Sequence, residues 1–157
     1  MPPKGTKVVA QNRKARHDYE VLEIFEAGLQ LKGSEVKSLR AGQVQLRDAY
    51  ARVDDGEIWV HGVHIAPYSH ASSFGVVDPD RTRKLLMHKR EIEELGSRTT
   101  TEPLTIVPMA IYFKDGRAKM ELALARGRKR YDKRHAIAQR DADREAERAH
   151  RGRQKGE

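Results

Sequence analysis

Leu104-Thr105-Ile106-Val107-Pro108-Met109-Ala110-Ile111-Tyr112-Phe113-Lys114-Asp115-Gly116-Arg117-Ala118-Lys119-Met120-Glu121-Leu122-Ala123-Leu124-Ala125 holds two runs of strand character around Asp115-Gly116. Aspartate followed by glycine tolerates the positive φ of a tight reverse turn, so the stretch predicts a β-hairpin. In its second arm Ala118, Met120, Leu122 and Leu124 alternate with Lys119, Glu121 and Ala123, which is a strand with one wet face. The same design occurs upstream, where Val44 to Val53 and Glu57 to Ile65 flank Asp54-Asp55-Gly56. Before both, Tyr19 to Leu31 is rich in Tyr, Val, Leu, Ile and Phe and reads as one long strand. Five or so antiparallel strands follow.

Short helices fall between them. Ser34 to Ala41 predicts a short helix, with Ser34 accepting from first-turn amides and Gly42 as its left-handed stop. Asp78-Pro79 can cap a helical turn, and Lys84 to Leu95 continues as helix on Leu85, Leu86, Ile92 and Leu95 until Gly96 ends it. The order of elements, with glycines at the corners, fits a mainly β fold: a closed antiparallel barrel of the oligonucleotide-binding kind with short helices.

Charge divides the 157 residues into three parts. Residues 1–16 carry Lys4, Lys7, Arg13, Lys14 and Arg16 and no acid, and residues 126–157 carry 12 Lys+Arg against 6 Asp+Glu. Residues 17–125 are slightly acidic, so the net charge of +8 is concentrated at the two ends. That segregation predicts a basic arm (1–16), a barrel domain (17–125) and a basic tail (126–157), with the ends engaging a polyanion, most simply nucleic acid. After Tyr131 the only large aliphatic residue of the tail is Ile137. Burial there cannot offset an ordering cost of about 1–2 kcal/mol per residue. The tail nevertheless lacks proline, and Arg140, Arg144 and Arg148 stand four apart. On a helix they form a like-charged stripe, opposed in isolation and favoured beside phosphates. The tail is therefore expected to be disordered alone and helical on a nucleic-acid surface.

Several classes of function are excluded. Without cysteine there is no disulfide, thiol catalysis or Cys-ligated metal. The longest nearly apolar run, Leu104 to Phe113, is half the length of a membrane span, and no apolar stretch follows Met1-Pro2-Pro3-Lys4-Gly5, so a cytoplasmic protein is expected. His61 and His64 are three apart on a strand and point to opposite faces, which argues against a shared metal. Ser69, Ser72 and Ser73 lie in a polar loop, and no glycine-rich phosphate cradle is present. The reading is a binding protein, with no catalytic residues, metal or cofactor. The cluster Asn12-Arg13-Lys14-Ala15-Arg16-His17 can grip phosphate through its basic side chains, while Asn and His can reach base edges or sugar hydroxyls. Tyr68, Tyr112, Phe113 and Tyr131 are the candidate stacking rings, with Tyr131 favoured because charged residues surround it. Such scarce aromatics favour recognition of folded RNA by shape and phosphate over reading of a free strand.

Five stretches then carry a resemblance: Asn12 to Tyr19, Phe25-Glu26-Ala27-Gly28-Leu29, Gly33-Ser34-Glu35-Val36-Lys37-Ser38-Leu39-Arg40-Ala41-Gly42, Arg81-Thr82-Arg83-Lys84-Leu85-Leu86, and Tyr131-Asp132-Lys133-Arg134. In this order they resemble the SsrA-binding protein (small protein B) family of bacterial trans-translation. The resemblance implies a barrel that grips the tRNA-like domain of transfer-messenger RNA (tmRNA) and helps carry it to stalled ribosomes. It implies partners in the 16S rRNA of the decoding region and the empty mRNA channel, which the tail enters as a helix. Alanyl-tRNA synthetase and elongation factor Tu would be met only through tmRNA, by a monomer. On the same resemblance Glu26 and Leu86 match residues needed for tmRNA binding, and His88 falls where some members have Asn. Asn12, Arg13, Lys14, Arg16 and His17 fall in the N-terminal RNA-facing stretch, while Lys84 and Lys119 read as phosphate contacts by position and charge. Asp132, Lys133 and Arg134 match a motif needed on the ribosome. Tyr131 sits where a stacking ring or His is usual, and Lys129, Arg140, Arg144 and Arg148 extend the ribosome-contacting tail. The alternative expectation is a ribosomal or ribosome-assembly protein with basic arms threaded through rRNA.

Overall fold

A computed structural model describes residues 5–68, 77–128 and 144–145. Its strands are β1 (Lys7–Gln11), β2 (Tyr19–Leu29), β3 (Val44–Gln45), β4 (Tyr50–Asp54), β5 (Glu57–His61), β6 (His64–Ile65), β7 (Arg83–Leu86), β8 (Thr105–Lys114) and β9 (Arg117–Gly127). The helices are α1 (Arg13–Asp18), α2 (Gly33–Arg40) and α3 (Lys89–Thr101). All strand pairs are antiparallel. Seven strands run in the order β1-β8-β4-β5-β7-β2-β9, and β9 pairs again with β8, so the pairing returns to its start; β3 and β6 form a separate small pair.

Both hairpins form around their Asp-Gly turns. Asp55 and Gly56 have φ of 51° and 75°, and Asp115 and Gly116 have 51° and 74°, the two positive values that let a two-residue loop follow the strand twist. The first hairpin is shorter than its sequence suggests. Leu46 to Ala49 leaves the strand for a turn in which Asp48 also has positive φ, so Val44–Gln45 pairs separately with His64–Ile65. A Cβ on Gly62 would come within 3.2 Å of the Ala49 Cα, so glycine is what lets the returning chain pass this turn closely.

Three helix expectations are corrected. α2 starts one residue earlier: Ser34 lies inside it, and the free amide of Lys32 is bonded by the Glu35 carboxylate at 2.9 Å. Asp78 accepts from the Asp80 amide at 2.9 Å and makes a turn. Lys84 to Leu86 belongs to strand β7, and α3 begins only at Lys89, then runs through Gly96 to Thr101. The helix thus passes the glycine expected to end it. Gly96 faces Val53 so closely that a Cβ would stand 3.2 Å from its Cγ1, and Thr99, Thr100 and Thr101 each donate to the carbonyl four residues back.

Inside the ring lie Phe25, Ala27, Leu29, Ile58, Val60, Leu85, Ile106, Ile111, Met120, Leu122 and Leu124, closed by Leu39 of α2 and Ile92 and Leu95 of α3. A second cluster lies outside: Ala15 of α1 covers Val107, Met109, Ala123 and Ala125, with Tyr19 beside it. β8 and β9 are thus buried on both faces along much of their length. The expected free arm of residues 1–16 is, from Lys7 onward, part of this fold, because β1 pairs with β8 and α1 seals the outer cluster. No helix of the described residues is long and apolar enough to cross a membrane.

Candidate nucleic-acid interface

Antiparallel partners share a face, so register places side chains together. Lys119 of β9, Gly28 of β2 and Leu86 of β7 stand in one row across three adjacent strands. Gly28 presents no side chain, and a Cβ there would lie 3.3 Å from the Cβ of Leu86. Leu86 is 54% exposed, a large apolar side chain standing on the outer surface. Two residues along their strands, Glu26 and Lys84 lie on that same surface. Glu26, Lys84, Leu86 and Lys119 are therefore brought together by the fold, from positions spread over more than ninety residues of sequence.

The carboxylate of Glu26 is engaged within this group. It accepts a short hydrogen bond from the Tyr112 hydroxyl, and Lys114 Nζ stands 3.5 Å away. The Tyr112 hydroxyl, opposed by partial burial and aided by Lys114, holds Glu26 below the usual carboxylate range. Burial first, and then the neighbouring carboxylate, raise the Tyr112 phenol. Glu26 is thus a fixed charge between a tyrosine and lysines, and the repulsion a lone carboxylate would give a phosphate is offset at short range. Lys84 is held by Glu57 at 3.0 Å. His88 stands at the N-cap of α3, exposed and making no side-chain cap bond.

The N-terminal cluster is divided by the fold. Arg13, Lys14, Arg16 and His17 are exposed on α1, at the far end of the outer face of β9, six residues or roughly 20 Å of strand beyond Lys119. Lys14 is 2.8 Å from Asp48, whose carboxyl it holds below the ordinary value. Asn12 is different. Only 5% exposed, it donates to the carbonyls of Leu46 (3.1 Å) and Pro108 (3.0 Å) and accepts from the Ala15 amide, so its side chain fastens α1 to strand β8 and to the turn that follows β3. Of the tail residues, Arg144 lies within the description, exposed in a helical pair with Glu145; Lys129, Tyr131, Asp132, Lys133, Arg134, Arg140 and Arg148 lie outside the described residues.

Two of the candidate stacking rings are core: Tyr112 and Phe113 are buried on β8. The residues that sequence reasoning passed over include Tyr112 and Lys114 as partners of Glu26, which hairpin register could have suggested, and Arg83 with Glu35. Arg83 is completely buried, and its guanidinium donates to Glu35 (2.6 Å), Val63 (2.7 Å) and Pro79 (3.0 Å), while Arg81 grips the other oxygen of Glu35 at 2.6 Å. His61 and His64 have separate partners, Thr82 and Asp80.

Known proteins resemble this chain over most of its length. The family model described as SmpB protein matches residues 9–152. An SsrA-binding protein of Frankia casuarinae is 55% identical over 152 residues, 97% of this chain and 95% of the relative, and one of Bacillus cytotoxicus is 56% identical over 154 residues, 98% and 99%. A chain of a solved structure described as "tmRNA-SmpB: a journey to the center of the bacterial ribosome" superposes with a TM-score of 0.64 at 52% identity, covering 75% of this chain and 82% of that one. With the matched model and relatives spanning nearly its whole length, the chain belongs to the SmpB family of SsrA-binding proteins.

Proposed function

We propose that this protein binds the tRNA-like domain of tmRNA and delivers it to stalled ribosomes for trans-translation, rescuing ribosomes on messages without a stop codon and tagging the nascent peptide for degradation. Membership of the SmpB family over nearly the full chain carries this reading. The convergence of Glu26, Lys84, Leu86 and Lys119 on one outer surface supports it, because these are the residues the resemblance assigns to RNA. Cations there can position phosphate, while the exposed leucine can pack on a sugar or base face. The reading takes the self-closing strand ring as a barrel of the oligonucleotide-binding type, a scaffold that presents such a surface without open edges. The protein is an adaptor with no chemistry of its own, a cytoplasmic monomer that meets alanyl-tRNA synthetase and elongation factor Tu through the RNA. Beyond Gly127, where β9 ends, the tail with Asp132, Lys133, Arg134 and the arginine stripe is disordered alone and becomes helical in the empty mRNA channel beside 16S rRNA.

Pulldown of the full chain from bacterial extract, followed by sequencing of bound RNA, tests the proposal. The expected result is strong enrichment of tmRNA. Recovery of ribosomal RNA at stoichiometric level with no tmRNA would favour a structural ribosomal protein instead.

A further inference from the structure

A set of rings lies on the outer surface of the β4–β5 hairpin, away from the Glu26 group. Tyr50 pairs with His61 and Arg52 with Trp59 across the two strands, so these four side chains share the surface, while Ala51 and Val60 are buried beneath. The rings of Tyr50 and His61 lie nearly parallel, 5.1 Å apart at their centroids and 14° between planes. The Thr82 hydroxyl, 3.2 Å from His61 Nδ1, braces the imidazole from the residue just before β7. Tyr50 is still 46% exposed, and among the described residues no other Phe, Tyr or Trp is as exposed. Arg52 is exposed on the next tier, without an ion pair among the described residues, and Arg47 is exposed three residues before Tyr50. The acids of the hairpin, Asp54, Asp55 and Glu57, stand at its turn end, where Lys84 engages Glu57.

A flat ring held from behind, with exposed cations beside it, suits one class of occupant. Every nucleobase has a π-face, and the phosphates next to it need positive charge. We propose that Tyr50, backed by His61 and flanked by Arg52, is a stacking platform for one unpaired RNA base, distinct from the Glu26 surface. The inference rests on the proposed RNA-binding function and deepens it. The base belongs either to tmRNA or to ribosomal RNA. Bracing by Thr82 and His61 makes the platform pre-ordered, so little side-chain freedom is lost when a base lands on it.

The test measures affinity of wild type, Tyr50→Ala and Tyr50→Phe for the tRNA-like domain of tmRNA in one arm and for ribosomes stalled on a truncated message in the other. Loss of one stacked base predicts a roughly 5- to 150-fold weakening for Tyr50→Ala. Tyr50→Phe, which keeps the ring, should bind like wild type. The arm in which Tyr50→Ala weakens names the source of the base. Ultraviolet crosslinking of the wild-type protein to 4-thiouridine-substituted RNA gives a reading free of any folding defect, with the label expected on the Asp48–Arg52 tryptic peptide. Unchanged affinity of a folded Tyr50→Ala in both arms overturns the platform, as does equal loss in Tyr50→Phe; if Tyr50→Ala does not fold, absence of label from that peptide overturns it. Failure of the wild-type protein to bind either RNA would instead refute the function proposed above.

Discussion

Asn12 stands in a basic run, where its amide reads as a group free to reach a base edge. In the fold both of its donors go to main-chain carbonyls, Leu46 and Pro108, far apart in sequence, and its oxygen caps α1. Replacement by alanine removes the cap and two further hydrogen bonds to main-chain carbonyls, at a combined cost of about 2–4 kcal/mol. Urea denaturation of Asn12→Ala should show a clearly lower midpoint with an unchanged slope, and a wild-type midpoint would contradict this role. RNA affinity should weaken too, because Arg13, Arg16 and His17 ride on the helix that Asn12 fastens. The residue type was legible as important; its work was not, because side-chain direction depends on which strands arrive beside it. The same holds for Tyr112, whose ring is core while its hydroxyl emerges to meet Glu26.

The hairpins were legible at the scale of elements because an Asp-Gly turn and a period of two are local signals. β7 was not, because it inverts the usual rule. Its alternation places Arg83 inside and Leu86 outside, so a search for inward apolar residues finds Leu85 and Leu86 in helical spacing with Ile92 instead. What makes the inversion affordable is Glu35, which α2 delivers to the buried guanidinium, binding helix, strand and the loop residues Val63 and Arg81 in one cluster. Burial tends to raise the Glu35 carboxyl, but Arg81, the Lys32 amide and Arg83 together hold it below the ordinary range. A carboxyl lowered in the folded state contributes stability that is present above its unfolded pKa and is lost as pH falls through the folded value. Chemical denaturation followed from pH 7 to pH 3 should therefore show wild-type stability declining below about pH 4 more steeply than that of Glu35→Gln. At pH 7, Glu35→Ala should lose about 3–5 kcal/mol, since Arg83 is left as an unpaired buried charge. Equal pH slopes for wild type and Glu35→Gln would remove the carboxylate from this account.

Composition divided the whole molecule into a folded middle and charged ends, but the boundary at the front was misplaced. Lys7 to Asp18 carries the same basic excess as an arm, yet its apolar minority (Val9, Ala10 and Ala15) is enough to join the fold once β8 is there to receive it. Charge counting cannot see that, because the deciding contacts are with residues a hundred positions away. On the proposed division of labour, a chain truncated before Asp132 should keep its affinity for the tRNA-like domain of tmRNA within a few-fold and lose tagging on stalled ribosomes. A gel-shift titration and a tagging reaction on a truncated message measure the two halves. Loss of RNA binding on truncation would merge body and tail into a single binding unit.

The strand from which the C-terminal segment departs, β9, is bonded along one edge to β2 and along the other to β8, and its final residue Gly127 still faces Tyr19. β9 is therefore held on both sides as far as Ala125 and by β2 alone over Arg126 and Gly127, so fraying past Ala125 opens one ladder and fraying further in must open two. A force on the departing chain is met by the whole body turning as a lever, since no hinge of loose backbone lies between them up to Gly127. A pull on the departing chain enters the sheet first through the β2–β9 ladder.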